Sequence, residues 1–568
     1  MTARITSLPV VVAGAALLAA GGLASVGGTQ RAASSPAVHV RYITVAPGEP
    51  LESVVSKASR VVPSPNQLAW QAREFIAFAH FGMNTFTDRE WGDGNESPAL
   101  FNPTDFDARQ WVQVFASAGV KLLILTAKHH DGFCLWPTAT TTHSVKSSPW
   151  KNGNGDVVAD VAMACREAGL AFGVYVSPWD RHERSYGDSP RYDEFFRAQL
   201  RELLTRYGEI AEVWFDGANG EGPNGKRQIY DWPSYYRVVR ELQPRAVIFG
   251  MAPDVRWVGT ESGYGRETEW SVVPLRLREG AALRPDSPHP LDDAFVPGDL
   301  TAPDLGSREA IRSAALLAWY PAETDVSIRP GWFYHPKEDA GVKTPEKLVD
   351  IYFGSVGRNG VLLLNVPPDT RGRIADADAE SLAGMRAILD GAFSTPVAGA
   401  RFPKQGAAGA ASAGYEIPVA AGRRFDVAML QEDIGQGQRV EQFTLEVCTA
   451  SACREFARGT TIGYKRLLRF PEVQVDAGHH DARIRLTVGQ TRGTPAVSAL
   501  AVYSMGPVQP PGAPRRHTPA RPRARPSVSS SGSRLQAPGR DRHRHAAAGA
   551  QDFHGCGAAD AIAAEQRK

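Results

Sequence analysis

From Ile76 to Ala392 short apolar runs alternate with stretches whose apolar residues recur every three or four positions. The first pattern predicts strands and the second amphipathic helices. FIAFAHFGM (75–83), KLLILTAKHH (121–130), AFGVYVS (171–177), AEVWFDG (211–217), AVIFGM (246–251) and VLLLNVP (361–367) read as strands. Between them DARQWVQVFASAGV (107–120), GDVVADVAMACREAGL (155–170), SPRYDEFFRAQLRELLTRYG (189–208), SYYRVVRELQP (234–244) and a last stretch near 374–392 read as helices. The run 121–130 is almost continuously apolar before a polar end, the mark of a parallel strand buried on both faces. Repeated βα units at this spacing imply a parallel sheet closed into a barrel over residues 60–393, with its working residues where strands end and loops begin. After Ser394 the helical period disappears. RFDVAMLQE, QRVEQFTLEV, KRLLRFPEVQV, ARIRLTV and SALAVYSM are strand-length runs separated by turns, which predicts an antiparallel β-sandwich over 394–505.

The ends differ from this body. Residues 1–30 read as an export signal: Arg4 precedes the uncharged run LPVVVAGAALLAA (8–20), which is too short for a permanent span, and small residues follow. The expectation is a secreted protein with no integral membrane span after cleavage. Residues 506–568 form a basic Pro/Arg/Ala-rich tail with little to bury, expected to be disordered. The 568-residue chain has 63 Lys+Arg and 61 Asp+Glu, giving a net charge of +2. Residues 509–568 hold 11 of the bases and 4 of the acids, so the body is mildly acidic and offers no electrostatic case for a nucleic-acid partner. Five cysteines at irregular spacing make no disulfide framework and no CxxC metal pair. Cys448 and Cys453 flank a turn between two expected strands and are expected to pair, with Cys134 and Cys165 left as thiols.

Three segments carry candidate chemistry. In WFDGANGEGPNG (214–225) Asp216 ends a buried strand and glycines follow. That placement suits a carboxylate at a barrel mouth, or a helix cap. In PDVRWVGTESGYGRETEWSVVP (253–274) Glu261 lies in a Gly/Ser loop, with Glu267 and Glu269 close behind. Glycoside hydrolysis needs two carboxyl groups facing one bond, and Asp216 with one of these glutamates would supply them. In TAKHHDGFCLW (126–136) the pair His129–His130 suits hydrogen bonding to sugar hydroxyls, or a metal site with Asp131 or Asp216. Successive strand residues point to opposite faces, which argues against one ion shared by both histidines, and the barrel region contains neither HxH nor HExxH. His80, Trp91, Tyr175, Trp179, Trp214 and Trp332 add imidazole and aromatic surface near strand ends.

Together FAHFGMNTFTDREWGDG, LTAKHHDGFCLWPT, FGVYVSPWDRH, EVWFDGANG, PDVRWVGTESG, SIRPGWFYHP, LLLNVPPD, LQEDIGQGQRVEQFTLEV and TTIGYKRLLRF resemble glycoside hydrolase family 29, the retaining α-L-fucosidases, from about Trp70 to Tyr503. The resemblance implies a distorted (β/α)8-like barrel followed by a β-sandwich, no metal or organic cofactor, and a fucosylated oligosaccharide or glycoconjugate as substrate. It implies Asp216 as nucleophile, Glu261 as general acid/base, and His80, Glu90, Trp91, His129, His130, Tyr175 and Trp214 as fucose-binding residues. The loop DVRWVGTESGYGRETEWSVVP is similar to the subgroup that removes α-1,3- and α-1,4-linked fucose from branched, Lewis-type glycans. Arg256, Trp257, Arg266, Glu267 and Trp270 of that loop are candidates for contact with the branching sugar, with core packing the equal alternative for Trp257. A broad-specificity α-L-fucosidase is the alternative, followed by a metal-dependent barrel hydrolase or a non-catalytic sugar-binding protein.

Overall fold

The computed structural model describes residues 39–506 apart from 282, 284–288, 297, 404–414 and 479–480. The expected export signal and all but the first residue of the basic tail lie outside the described residues. Eight parallel strands form one sheet: β1 (Phe75–Ala79), β2 (Leu122–Lys128), β3 (Ala171–Val176), β4 (Glu212–Phe215), β5 (Val247–Phe249), β6 (Arg256–Trp257), β7 (Ala322–Ser327) and β8 (Val361–Asn365). Their order is β5-β4-β3-β2-β1-β8-β7-β6, and a parallel bridge from Phe249 to Val255 brings the two outer strands together. The sheet is a near-closed barrel.

Local sequence explains the repeating unit. Helices α1 (Ala108–Ala118) and α2 (Val157–Ala168) are each capped by an aspartate, Asp107 and Asp156, whose carboxylate accepts the amide of the third helical residue. Each ends at a glycine with φ near 90° or 70°, Gly119 and Gly169, a conformation that costs other residues dearly. The next strand begins within three residues. On α1 the side chains of Trp111, Val112 and Phe115 are fully buried against the barrel. Helices α3 (Ser189–Arg206), α4 (Trp232–Leu242), α5 (Pro345–Gly354) and α6 (Asp376–Phe393) complete the outer layer.

The barrel departs from a regular (β/α)8 pattern at one sector. Only residues 250–255 join β5 to β6, with no helix between them. Residues 258–321 then make a long excursion before β7, holding the four-residue helix Arg308–Ile311. Within it Leu316–Trp319 is the middle strand of a three-stranded antiparallel sheet, paired with Tyr42–Thr44 on one side and Val272–Pro274 on the other. Strand β7 is absent from the apolar pattern because it reads AETDVS, yet all six residues are buried.

The second region comprises β9 (Ala398–Arg401), β10 (Tyr415–Pro418), β11 (Arg424–Glu432), β12 (Val440–Cys448), β13 (Cys453–Gly459), β14 (Arg466–Gln474), β15 (Arg483–Thr491) and β16 (Val497–Tyr503). They form two antiparallel sheets, β9-β16-β11-β14 and β10-β15-β12-β13, around a core that includes Phe425, Leu430, Leu445 and Leu500. Cys448 and Cys453 face each other across the β12–β13 hairpin and are disulfide-bonded, with Cα atoms 4.0 Å apart. Cys134 and Cys165 are buried thiols. The sandwich is stitched to the barrel by backbone as well as side chains: Arg466 bridges Arg358, and the Leu467 amide donates to the Gly357 carbonyl at 3.0 Å.

Candidate active site

The barrel strands deliver their polar residues at or just beyond their C-terminal ends. His80 follows β1, His129 and His130 follow β2, Ser177 follows β3, and Asp216 follows β4, while Asp325 lies within β7 and Asn365 ends β8. A narrow pocket opens at this end. Its lining contains every residue expected to bind or act: Asp216, Glu261, His80, Glu90, Trp91, His129, His130, Tyr175 and Trp214. Phe78 and Trp214 lie at its floor, with Trp214 stacked on Phe249 at 4.2 Å between ring centres.

Asp216 is 6 % exposed. Its Oδ1 accepts the Ala218 amide at 2.7 Å and its Oδ2 accepts the Tyr175 hydroxyl at 2.9 Å. Burial and the adjacent Asp216 charge push the Tyr175 hydroxyl far above its ordinary range, so it remains a proton donor to the carboxylate. Glu261 reaches the pocket from the excursion 258–271, which has no regular structure, and is half-buried.

The histidines are neutral hydrogen-bonding groups whose tautomers follow from their neighbours. Asn365 Nδ2 donates to the Trp332 carbonyl at 2.7 Å, which turns its Oδ1 toward His80 Nδ1, 2.8 Å away. His80 therefore carries its proton on Nδ1 and presents a lone pair at Nε2. Ser177 Oγ donates to the Trp179 carbonyl at 2.8 Å, so it can only accept from His130 Nδ1, 2.7 Å away. His130 presents a lone pair as well, its Nε2 lying 3.9 Å from Asp216 Oδ2. Asn84 Nδ2 donates to the Glu90 carbonyl and, at 3.4 Å, to His129 Nδ1, which leaves His129 with a donor at Nε2. Burial lowers all three: His80 to about 3, His130 to about 4, His129 well below its ordinary value. Two acceptors and one donor, none charged, suit a polyol.

Two sequence expectations need correction here. Strand β2 stops at Lys128, so His129 and His130 lie in the turn after it and strand alternation does not apply to them. Both line the pocket, with ring centres 4.1 Å apart. Of the five loop residues that are candidates for a branching sugar, four are held within the protein, while Glu267 is paired but exposed. Arg256 is fully buried on Glu269 and the Tyr320 carbonyl, and Trp257 donates to Asp325 at 2.8 Å. Arg266 holds the carbonyls of Val258, Leu300 and Ala302, Glu267 pairs with Arg358 and Arg466, and Trp270 lies beneath Arg492.

Glu90 also has a second task. Its carboxylate accepts the amides of Trp332 and Phe333 at 2.8 and 3.2 Å and meets His335 Nε2 at 2.7 Å, fixing the loop that brings Trp332 to the pocket. Trp91, 38 % exposed, stands at the rim against His130 and Trp179. Sequence reasoning missed Asp325. It is 3 % exposed, lines the pocket, and is held well above the usual carboxyl range by burial and by the neighbouring Glu261. With Glu90, Asp216 and Glu261, it brings the carboxyl groups lining the pocket to four.

The family model for α-L-fucosidase matches residues 64–391. The chain is 41 % identical over 472 residues to α-L-fucosidase 1 of Arabidopsis thaliana, covering 78 % of this chain and 87 % of that protein. Among solved structures it is similar to a glycoside hydrolase 29 family member from an unknown rumen bacterium, at 41 % identity and TM-score 0.65, over 79 % of this chain and 78 % of the other. It is also similar to the Ruminococcus gnavus GH29 fucosidase E1_10125 in complex with fucose, at 30 % identity and TM-score 0.64, over 81 % and 97 %. With this match over more than half its length, and a barrel and sandwich to go with it, the chain belongs to the α-L-fucosidases of glycoside hydrolase family 29.

Proposed function

We propose that the enzyme is an exported, retaining exo-α-L-fucosidase that removes terminal α-1,3- and α-1,4-linked fucose from branched glycans by double displacement. The observation that carries the mechanism is one pocket holding Asp216 and Glu261 together with three neutral histidines. Asp216, oriented by Ala218 and Tyr175, attacks the anomeric carbon while Glu261 gives its proton to the departing glycosidic oxygen. The C–O bond to the leaving sugar breaks as the ester to Asp216 forms. Water then attacks the fucosyl-enzyme, passing its proton to Glu261, and fucose leaves with its configuration retained. His80, His130 and His129 meet sugar hydroxyls with two acceptors and one donor. The exo reading rests on the chain's likeness to the α-L-fucosidases.

Export rests on the segment from Arg4 through Ala20. The linkage reading rests on the likeness of the loop around Glu261 to the narrower subgroup. A broad-specificity reading has its own support, because four of the five candidate side chains for a branching sugar, Arg256, Trp257, Arg266 and Trp270, are engaged inside the protein. Comparing kcat/KM for a Lewis-type trisaccharide, α-1,2-fucosyllactose and a nitrophenyl fucoside separates the two. The narrow reading expects the trisaccharide to lead by at least about tenfold, because a remote contact is used to organise the chemical step. Equal values would leave a broad-specificity enzyme.

A further inference from the structure

Among the described residues, every side chain lining the pocket comes from the barrel and its loops. The sandwich nonetheless holds the segment that carries Glu261. That segment, 258–271, belongs to neither a strand nor a helix, so no ladder of backbone hydrogen bonds fixes it. On the barrel side the Val258 amide donates to the Glu323 carbonyl at 2.9 Å, the Gly265 amide donates to the Gly354 carbonyl at 2.8 Å, and Asn359 Nδ2 donates to the Glu269 carbonyl at 3.2 Å. On the other side the ties come from the sandwich. Arg466, only 2 % exposed at the start of β14, donates Nη1 to the Glu267 carbonyl at 2.7 Å and Nη2 to the Glu267 carboxylate. Gln438, fully buried, donates Nε2 to the Glu269 carbonyl at 2.9 Å and accepts the Ser271 amide at 2.7 Å, reproducing with one side chain the two bonds of a strand partner. Thr268 Oγ1 donates to Thr460 Oγ1 at 2.8 Å.

Each of these bonds has a cost attached to its loss. A buried guanidinium without its carboxylate, or a buried amide without its partners, is penalised by more than the bond itself contributes. The segment therefore has one well-defined seat, to which the sandwich contributes through Arg466 and Gln438 alongside the barrel's Asn359, Arg358 and Arg256. We propose that the sandwich is a positioning element for the acid/base, with Arg466 and Gln438 acting on Glu261 through residues 267–271. The proposal rests on the reading of Glu261 as general acid.

The test uses the full-length enzyme carrying Arg466→Ala, Arg466→Lys or Gln438→Ala, with Glu261→Ala alongside. The substrates are a fucosylated oligosaccharide and aryl fucosides of graded leaving-group pKa, and fucose binding is measured by calorimetry. A misplacement of about 1 Å can cost about 100-fold. Arg466→Ala should therefore lose about 10- to 100-fold in kcat/KM on the oligosaccharide. The most activated aryl fucoside, which needs little protonation, should change by less than about threefold, and the fucose Kd should not change. Arg466→Lys should recover part of the loss. A folded variant losing activity equally on all substrates, or losing none, overturns the proposal. If Arg466→Ala fails to fold, Gln438→Ala, which removes no charge, decides by the same criteria. If Glu261→Ala shows the leaving-group dependence and the sandwich variants do not, the positioning role falls alone. If Glu261→Ala shows none, the acid assignment falls and takes this proposal with it.

Discussion

Asp216 and Glu261 face the same pocket from supports of opposite kind. Asp216 is the first residue beyond a buried strand that is hydrogen-bonded on both sides, Trp214 pairing with Tyr175 on β3 and with Phe249 on β5. Both its oxygens are satisfied within the barrel, and no residue beyond Ala218 is needed to aim it. Glu261 sits in an irregular excursion whose bonds run outward, to α5, to the loop near residue 300 and to the sandwich. A carboxylate that must attack one carbon along one line benefits from a strand end. A carboxyl that must meet leaving groups of varied shape benefits from a loop set by tertiary ties. The second arrangement spreads the positioning of one proton over two regions of the chain.

The comparison is sharpest when each carboxyl is removed. Asp216→Gly should lower turnover by at least about 10^4-fold. Azide should partly restore it and yield the β-fucosyl product, because the strand end keeps its shape and the small anion fills the place of the missing carboxylate. Rescue without a β-fucosyl product would mean Asp216 acts as a base. Glu261→Ala should cost about 10^2- to 10^4-fold on an oligosaccharide and far less on an activated aryl fucoside. Neither neighbouring glutamate is placed to substitute. Glu269 is buried against Arg256 and Arg266, and Glu267 is paired with Arg358 and Arg466. Undiminished oligosaccharide turnover by Glu261→Ala would break the comparison at its root.

The same contrast governs what was legible in the sequence. Strand ends that follow a continuous apolar run announce themselves, which is why His80, His129, His130, Tyr175, Trp214 and Asp216 could be named from periodicity and residue type together. Strand β7 did not announce itself, because Glu323 and Asp325 occupy its buried interior. They are tolerated there since the indoles of Trp214 and Trp257 donate to them at 2.9 and 2.8 Å, pairings that join β7 to residues far away in sequence. Helix α5 carries a readable start, Thr344 capping Lys347 with Pro345 in the first turn, but its apolar stripe is short. The loop side chains that were candidates for substrate contact show the converse limit. Arg256, Arg266 and Trp270 are polar or amphipathic, as a sugar site needs, and nothing local distinguishes them from residues that tie a loop to its own protein.

The smallest effect expected concerns the histidines, and it probes the strand-end side of the comparison in its resting state. If the barrel fixes these rings as firmly as it fixes Asp216, their tautomers and charge states are set before any sugar arrives. Burial is the main cause of each lowered value, and it brings His80 down to about 3 and His130 to about 4. The sign follows directly. An unfolded histidine takes up its proton as the pH falls through about 6.5, whereas these remain neutral in the folded protein until near 4 or below. Between those limits the unfolded chain binds more protons, so the histidines' contribution to stability is fully present above about 6.5 and declines as the pH falls toward 4. At pH 5.5 nitrogen-15 and ring-proton NMR should accordingly find His80, His129 and His130 uncharged, with the proton on Nδ1 in His80 and His130 and on Nε2 in His129. Adding fucose should shift these resonances without changing their tautomers, because the partners that set them, Asn365, Ser177 and Asn84, lie on the side of each ring away from Nε2. A charged imidazole at pH 5.5, or a tautomer that switches on binding, would show that the sugar organises this side of the pocket too, and the contrast with the loop-borne Glu261 would lose its basis.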